Sequence, residues 1–486
     1  MNVDSDKISF LIDDKWVELD FQKAENIRPT TSLLNYLRSS DKHKGVKEGC
    51  AEGDCGACSV VIAELNTKNE LEYKALDSCL VFLPMIHGKQ IITVENLAQN
   101  INKEIHLHPV QQFMVENNGS QCGYCTPGII MSLFALYKNH HNPEKELIED
   151  SLTGNLCRCT GYKPIIDAAH KACVNHGKDQ FSEKQQEITQ QLLDFKKIKK
   201  TIILSHPDQL YLIPKNLDDA LKYRKQFPSA VLIGGATDTA LRQTKKGEII
   251  PQIIDLSQLD ELKYFEITKN SLIIGAELPL EKIKKITEIS FPAFFAILKV
   301  FGSLQIRNIA TLGGNIGSAS PIGDTLPFLF ACKAIVKLQS STSKREIAIE
   351  DFITGYRKTM ISSDELIIAV EIPFIGKDII LKTYKVSKRK DLDISTVSAC
   401  FRLKLNNEKI VEEIIIVYGG MAAVTSRALK TEMFLTGKKW ERKTIEVGME
   451  VLFNEFNPIS DARSDAEFRK LACRNLLMKF WDETKQ

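Results

Sequence analysis

What these 486 residues lack narrows the field first. There is no excess of charge: 64 Lys and Arg stand against 62 Asp and Glu, a formal +2. That balance gives no general reason to expect nucleic acid or an anionic membrane as partner. There is no long hydrophobic run either. The longest, Ile414 to Val424, contains two glycines and is too short to span a bilayer. The start, MNVDSDKISF, lacks the basic-then-apolar order of a secretory signal, so the expected setting is soluble and cytoplasmic. No internal repeat or low-complexity tract appears. No G-x-G-x-x-G follows a strand, so a Rossmann dinucleotide site is not indicated. What remains, at 43% hydrophobic and 26% charged, suits ordinary globular cores, and the length suggests about three domains.

The residue type in surplus is cysteine, with twelve copies. In a cytosolic chain such numbers point to metal binding or reactivity rather than disulfides. Cys50, Cys55 and Cys58 stand as C-x4-C-x2-C, with Cys79 as a distant fourth. That is the plant-type ferredoxin spacing for a [2Fe–2S] cluster. Gly49, Gly53 and Gly56 let the loop fold tightly and aim N–H groups at sulfur. A second set pairs Cys122 and Cys125 (C-x2-C) with Cys157 and Cys159 (C-x-C). Cys125 precedes Thr126-Pro127, and Cys159 precedes a stretch from Thr160 to Pro164. Each reads as a cap and helix start, whose positive dipole end favours an anionic cluster. Taken alone, this second set could also hold zinc, a reading that the adjacent ferredoxin-type loop disfavours. Cys173, Cys332, Cys400 and Cys473 stand singly and are expected to be small buried hydrophobes.

Periodicity divides the chain. Residues 7–19 read as a hairpin around Asp13-Asp14. Hydroxyls at 30–32 cap a helix with Leu33, Leu34 and Leu37 on one face. Strands are expected at 58–65, ending near 79–83, and at 90–94, giving a small mixed sheet. From 105 to 175 four short helical patterns suggest a bundle. Residues 177–200 are polar and read as a linker with at most one amphipathic turn. From 201 the chain is α/β, with Asn216 capping a helix and a strand at 230–233; from 382 a last α+β segment includes a strong strand at 414–418. Two glycine-bearing loops, Leu232-Ile233-Gly234-Gly235-Ala236-Thr237-Asp238-Thr239 and Thr311-Leu312-Gly313-Gly314-Asn315, could let a pyrophosphate approach the backbone. Read singly, each is equally a turn of an α/β protein.

In combination these motifs are specific. The eight cysteines, QCGYCTPG at 121–128, GNLCRCTGY at 154–162 and the two glycine loops follow one another in order. The chain thereby resembles the iron–sulfur and flavin portions of the xanthine dehydrogenase/molybdenum hydroxylase family. The resemblance implies an α+β multidomain protein: a β-grasp ferredoxin domain (1–95), a four-helix [2Fe–2S] bundle (96–176), a linker (177–200), an FAD-binding domain of the vanillyl-alcohol-oxidase-like type (201–378) and a C-terminal flavoprotein domain (382–484). It implies that Cys50, Cys55, Cys58 and Cys79 hold one cluster and Cys122, Cys125, Cys157 and Cys159 the other. It implies that Gln121 touches a pterin, and that residues 232–239, Phe301, 311–315, Asp324, Ile367 and Lys385 line FAD. Phe301 and Ile367 would flank the adenine, and Tyr356 would lie towards the nicotinamide. Lys385 to Ile394 matches a mobile loop near the flavin. Leu392 stands there where animal relatives carry an acid, so their choice between oxygen and NAD is not carried over. With the chain ending at Gln486, the resemblance implies the small subunit of a two-subunit enzyme. A molybdopterin-bearing large subunit would oxidise hypoxanthine and xanthine to urate, and this chain, with no substrate-oxidising residue of its own, would pass electrons through both clusters to FAD and NAD+. The family's assembly is a dimer of heterodimers. The alternatives are the electron-transfer subunit of another hydroxylase, acting on nicotinate, an aldehyde or another heterocycle, and a non-catalytic redox carrier.

Overall fold

The N-terminal strands meet at a turn the sequence dictates. Asp13 takes φ +54°, and the two-residue turn Asp13-Asp14 sets β1 (Lys7–Ile12) against β2 (Lys15–Asp20), with Phe10 opposite Val17. The computed structural model describes residues 6–24, 26–197 and 200–485; the first five residues, on which the leader reading rests, residues 198 and 199 of the linker reading and the final Gln486 lie outside them. The chain forms two compact units: Met1–Leu259 with Gly302–Ala310, and Asp260–Phe301 with Thr311–Gln486.

In the first unit, α1 (Leu33–Ser39) is capped by Ser32, whose hydroxyl accepts from the Asn35 N–H at 3.2 Å, and it buries Leu33, Leu34 and Leu37. With β3 (Ser59–Leu65), β4 (Leu71–Asp77) and β5 (Gln90–Ile92) the strands form one sheet in the order β2-β1-β5-β3-β4. β1 and β5 run parallel and the other neighbours antiparallel, which is the mixed β-grasp sheet expected. A hairpin of β6 (Gln99–Ile101) and β7 (Glu104–His106) follows.

The bundle is α2 (Pro109–Glu116), α3 (Thr126–Asn139), α4 (Lys145–Leu152) and α5 (Lys163–Val174). α3 is its axis. All residues from Gly128 to Tyr137 are buried, as the apolar run around the whole helix requires. The stretch expected as a linker is instead an 18-residue helix, α6 (Gln180–Lys197), whose Phe181, Ile188 and Leu192 are buried. Leu192 and Ile188 pack on Leu11, and Trp16 stacks on Phe195 at 5.3 Å. Burial of this sparse apolar stripe on the ferredoxin sheet stabilises a helix that its polar composition alone does not announce.

A second sheet, in the order β10-β11-β9-β8, is built from β8 (Ile202–His206), β9 (Gln209–Ile213), β10 (Val231–Ile233) and β11 (Gln252–Asp255), with α7 (Leu217–Gln226) capped by Asn216. Its Ile202, Tyr211, Ile233 and Ile253 share one apolar core with Phe10, Leu37 and Leu80 of the ferredoxin part. The returning segment 302–310 is bound to the bundle and to β4. Gln305 donates to the Ser132 hydroxyl and the Asn155 amide oxygen, both at 2.9 Å; fully buried Arg307 pairs with Asp150 at 2.7 Å; Asn308 donates to the Ala75 carbonyl at 2.8 Å.

The second unit holds an antiparallel five-stranded sheet: Phe265–Ile267, Ser271–Gly275, Leu366–Pro373, Ile335–Gln339 and Lys344–Ala348, in that spatial order. Beyond it the strands Ile379–Val386, Val397–Leu405, Val411–Gly419 and Ser426–Arg427 form a four-stranded sheet, with the long helices Arg442–Phe453 and Ala466–Thr484 following. Phe401, Tyr418, Trp440 and Phe480 centre its core. No helix among the described residues is long and apolar enough to cross a membrane.

Candidate functional site

The loop between α1 and β3 carries Cys50, Cys55 and Cys58, and Cys79 follows β4. Gly53 and Gly56 take φ of +78° and +66°, so the chain turns back on itself between the thiols. The thiols meet in pairs. Cys50 faces Cys55, and Cys58 faces Cys79. Cys50 also accepts from the N–H groups of Glu52 (3.4 Å) and Asp54 (3.3 Å). The Cys55 thiol first, and these N–H groups in support, draw the Cys50 thiol down to about 5, while the Cys55 thiol is pushed up by its partner and by burial. Asp77 is fully buried against Cys58, Oδ1 to Sγ 3.8 Å; burial, then the negative charge at Cys50, pushes its carboxyl up to about 8.

The second set is also paired. Cys122 and Cys159, both exposed, face one another, as do Cys125 and the buried Cys157. Burial opposes the Cys157 thiolate, but the Thr160 hydroxyl, 3.2 Å away, and nearby N–H groups outweigh it and hold the thiol below its ordinary value. The helix-end expectation is met in part. Cys125 is itself the residue before α3, so the dipole of a 14-residue helix reaches it. At α5 the residue before the helix is Tyr162, not Cys159, because Gly161 and Tyr162 both take left-handed turns first. Neither Thr126 nor Thr160 caps a helix by its side chain: Thr126 bonds Ser120 at 2.7 Å and Thr160 accepts from the Tyr162 N–H. Gln121 is exposed beside Cys122.

The two sets touch. The N–H of Leu156, next to Cys157, donates to the Cys55 carbonyl at 3.0 Å, and the Asn155 amide donates to the Gly56 carbonyl at 3.1 Å. Among the described residues no three or more His, Cys, Asp or Glu side chains converge on a single metal position. The donors are soft thiols grouped two by two, which fits a two-iron centre with two thiolates for each iron. All four remaining cysteines are buried, and Cys332 is pushed up to about 12 by burial, as befits an inert core thiol.

The first glycine loop, 232–239, runs from the end of β10 into the short helix α8 (Ala240–Thr244) in the first unit. Gly235 permits a close approach, since a Cβ there would lie 1.8 Å from the Ile309 carbonyl oxygen. The other expected flavin residues belong to the second unit. Thr311 caps the helix Leu312–Gly317, accepting from the Gly314 N–H at 3.1 Å. Gly313 is pressed against Ala276, whereas a Cβ on Gly314 would meet only the Thr311 hydroxyl. Gly314 therefore presents open space at a helix start, where a phosphate can be received. Asp324 and Lys385 are both buried and pair at 3.0 Å; Lys385 also donates to the Val300 carbonyl at 2.8 Å, next to Phe301. The Ser395 hydroxyl donates to Asp324 at 2.5 Å, and Thr325 ties Asn315 to the same corner. Ile367 is buried, 3.5 Å from where a Cβ on Gly317 would lie. Thus 311–315, Phe301, Asp324, Ile367 and Lys385 gather in one region, while Tyr356 is 62% exposed on a separate hairpin. Leu392 is buried at φ +71°, a left-handed position unusual for leucine. The sequence reading did not single out Asn155, Leu156, Lys245 or the segment 302–310; the GNL preceding Cys157 was the one local hint.

Four family models match in order: a 2Fe-2S iron-sulfur cluster binding domain at 18–83, a [2Fe-2S] binding domain at 93–170, the FAD binding domain in molybdopterin dehydrogenase at 203–375, and the CO dehydrogenase flavoprotein C-terminal domain at 382–484. The chain belongs to the molybdenum hydroxylase family, as an iron–sulfur/FAD portion. A xanthine dehydrogenase of Emericella nidulans is 34% identical across 93% of this chain and 36% of its own length. A xanthine dehydrogenase/oxidase of Gallus gallus is 29% identical across 98% and 40%, and an aldehyde oxidase of Homo sapiens 29% identical across 95% and 38%. The chain thus spans under half the length of these curated relatives. In fold, it is similar to a carbon monoxide dehydrogenase chain from Hydrogenophaga pseudoflava (TM-score 0.53, 20% identity, 56% of this chain and 96% of that one) and to a quinoline 2-oxidoreductase chain from Pseudomonas putida 86 (TM-score 0.52, 21% identity, 57% and 99%). As a molybdenum hydroxylase portion it carries two [2Fe–2S] binding domains and an FAD-binding domain in a mixed α+β architecture.

Proposed function

We propose that this chain is the electron-transfer subunit of a cytoplasmic two-subunit xanthine dehydrogenase, serving a molybdopterin-bearing partner and reducing NAD+. The observation that carries the reading is the sorting of eight thiols into two paired sets ahead of a flavin-binding domain within one chain. Cys50, Cys55, Cys58 and Cys79 hold the ferredoxin-type cluster; Cys122, Cys125, Cys157 and Cys159 hold the bundle cluster. Residues 232–239, Phe301, 311–315, Asp324, Ile367 and Lys385 hold FAD, with Tyr356 on the NAD+ side. When bound, the clusters supply one-electron steps and the flavin joins them to hydride transfer.

The protein's own part is binding and insulation. The N–H groups of Glu52 and Asp54 stabilise negative charge on the Cys50 sulfur. Thr160 does the same at Cys157. The exposed pair Cys122 and Cys159 suits the bundle cluster to face the partner, with Gln121 beside it towards the pterin. The Leu156-to-Cys55 hydrogen bond supports an order in which the bundle cluster feeds the ferredoxin-type cluster. The assembly expected is a dimer of heterodimers, with the domain limits 1–95, 96–176, 201–378 and 382–484, and residues 177–200 bridging the second and third.

Co-purification with the partner subunit tests the substrate. Xanthine-dependent NAD+ reduction by the fully loaded complex is expected; a loaded complex that ignores purines but turns over an aldehyde would transfer the chain to the second reading. That reading, an aldehyde-oxidising relative, has its own support in the similarity to human aldehyde oxidase.

A further inference from the structure

The loop proposed to hold the ferredoxin-type cluster is acidic. Glu48, Glu52 and Asp54 lie in or beside it, and Asp77 is buried against Cys58. A four-thiolate [2Fe–2S] centre is anionic as well, so the charged carboxylates of Glu48, Glu52 and Asp54 oppose the arrival of an electron. Against them the fold sets a cation from 195 positions further along the chain. Lys245, the residue directly after α8, places its Nζ 3.1 Å from the Cys50 carbonyl oxygen and 3.1 Å from Glu52 Oε2. α8 is the helix that continues the 232–239 loop, so the lysine reaches from the flavin-binding segment to the backbone of an iron-ligand candidate.

We propose that Lys245 sets the reduction potential of the ferredoxin-type cluster, raising it by holding a positive charge against Cys50 and neutralising Glu52. This rests on the proposed ligand set Cys50, Cys55, Cys58 and Cys79. Lys245 is a positioning residue for charge, not a ligand and not a staple of the fold. The lysine and glutamate side chains are 44% and 40% exposed, and ion pairs of that kind add little to stability. Their field on a neighbouring redox centre is another matter, because it acts on every electron that enters and weakens only in part with salt.

The experiment is a redox titration of the loaded full chain followed by electron paramagnetic resonance, with a Cys125→Ala chain identifying which signal is the ferredoxin-type one. Lys245→Met is expected to lower that cluster's midpoint potential and to move the bundle cluster's less. Glu52→Gln is expected to raise it, and Lys245→Arg to keep it near the parent value. The gap between parent and Lys245→Met should narrow as salt is raised. Parent potentials in both Lys245→Met and Glu52→Gln, with full iron and flavin, would overturn the inference while leaving the cluster assignment standing. A parent protein without the ferredoxin-type signal would overturn the assignment on which it rests.

Discussion

Cys125 shows how much one side chain is asked to do at this site. It faces Cys157, it starts α3, and burial pushes its thiol up to about 12 in the absence of metal. Such a thiol becomes a useful thiolate only when a cation takes its proton's place. Cys125→Ala is therefore expected to abolish the bundle-type [2Fe–2S] resonance and leave the ferredoxin-type resonance in place. Retention of both signals would remove Cys125 from the ligand set. His87 makes a different point at the same scale. Its Nδ1 accepts from the Ser9 N–H at 3.0 Å and its ring lies 4.7 Å from Phe195, and burial holds it down to about 4. An unfolded histidine titrates near about 6.5. Between those values the unfolded chain takes up a proton that the folded chain refuses. Stability then falls as pH drops from about 6.5 through about 4, by as much as ~3 kcal/mol. His87→Asn keeps an acceptor without a titrating ring, so its unfolding midpoint should depend less on pH in that window; equal slopes for parent and variant would contradict the assignment.

Among elements, α6 is the instructive one. Leu192 is 2% exposed and packs with Ile188 on Leu11. Leu192→Ala is expected to cost about 2–5 kcal/mol, read as a lower denaturation midpoint; no change would mean that the helix is not docked in solution. The sequence gives little warning of this helix, because three buried residues in eighteen are too few to outweigh its glutamines, glutamates and lysines. The partners of Ile188 and Leu192, which are Leu11, Leu65 and Leu71, lie far off in the chain, as does Phe134 beside Phe181. The β6–β7 hairpin was equally hidden: its turn is Asn102-Lys103, both left-handed, without the glycine that usually marks such turns. What could be read was local. The Ser32 and Asn216 caps, the Asp13-Asp14 turn, the all-round apolar α3 and the cysteine spacings each occupy a few consecutive residues. The candidate ligands were legible for that reason, and the contacts that join them were not. The bonds from Leu156 to Cys55 and from Lys245 to Cys50 depend on the completed fold.

At the scale of the whole molecule, four domain models in one chain describe a protein made to carry three redox groups. The iron–sulfur part and the first loop proposed to bind flavin share the first unit, and the remaining residues proposed to bind it gather in the second. The account stands or falls with the metal. Iron and acid-labile sulfide analysis, joined to electron paramagnetic resonance of the reduced chain, tests it most directly. Equal amounts of iron and sulfide and two distinct [2Fe–2S] resonances are predicted. An iron-free protein, or one that holds zinc on these eight thiols, would contradict it.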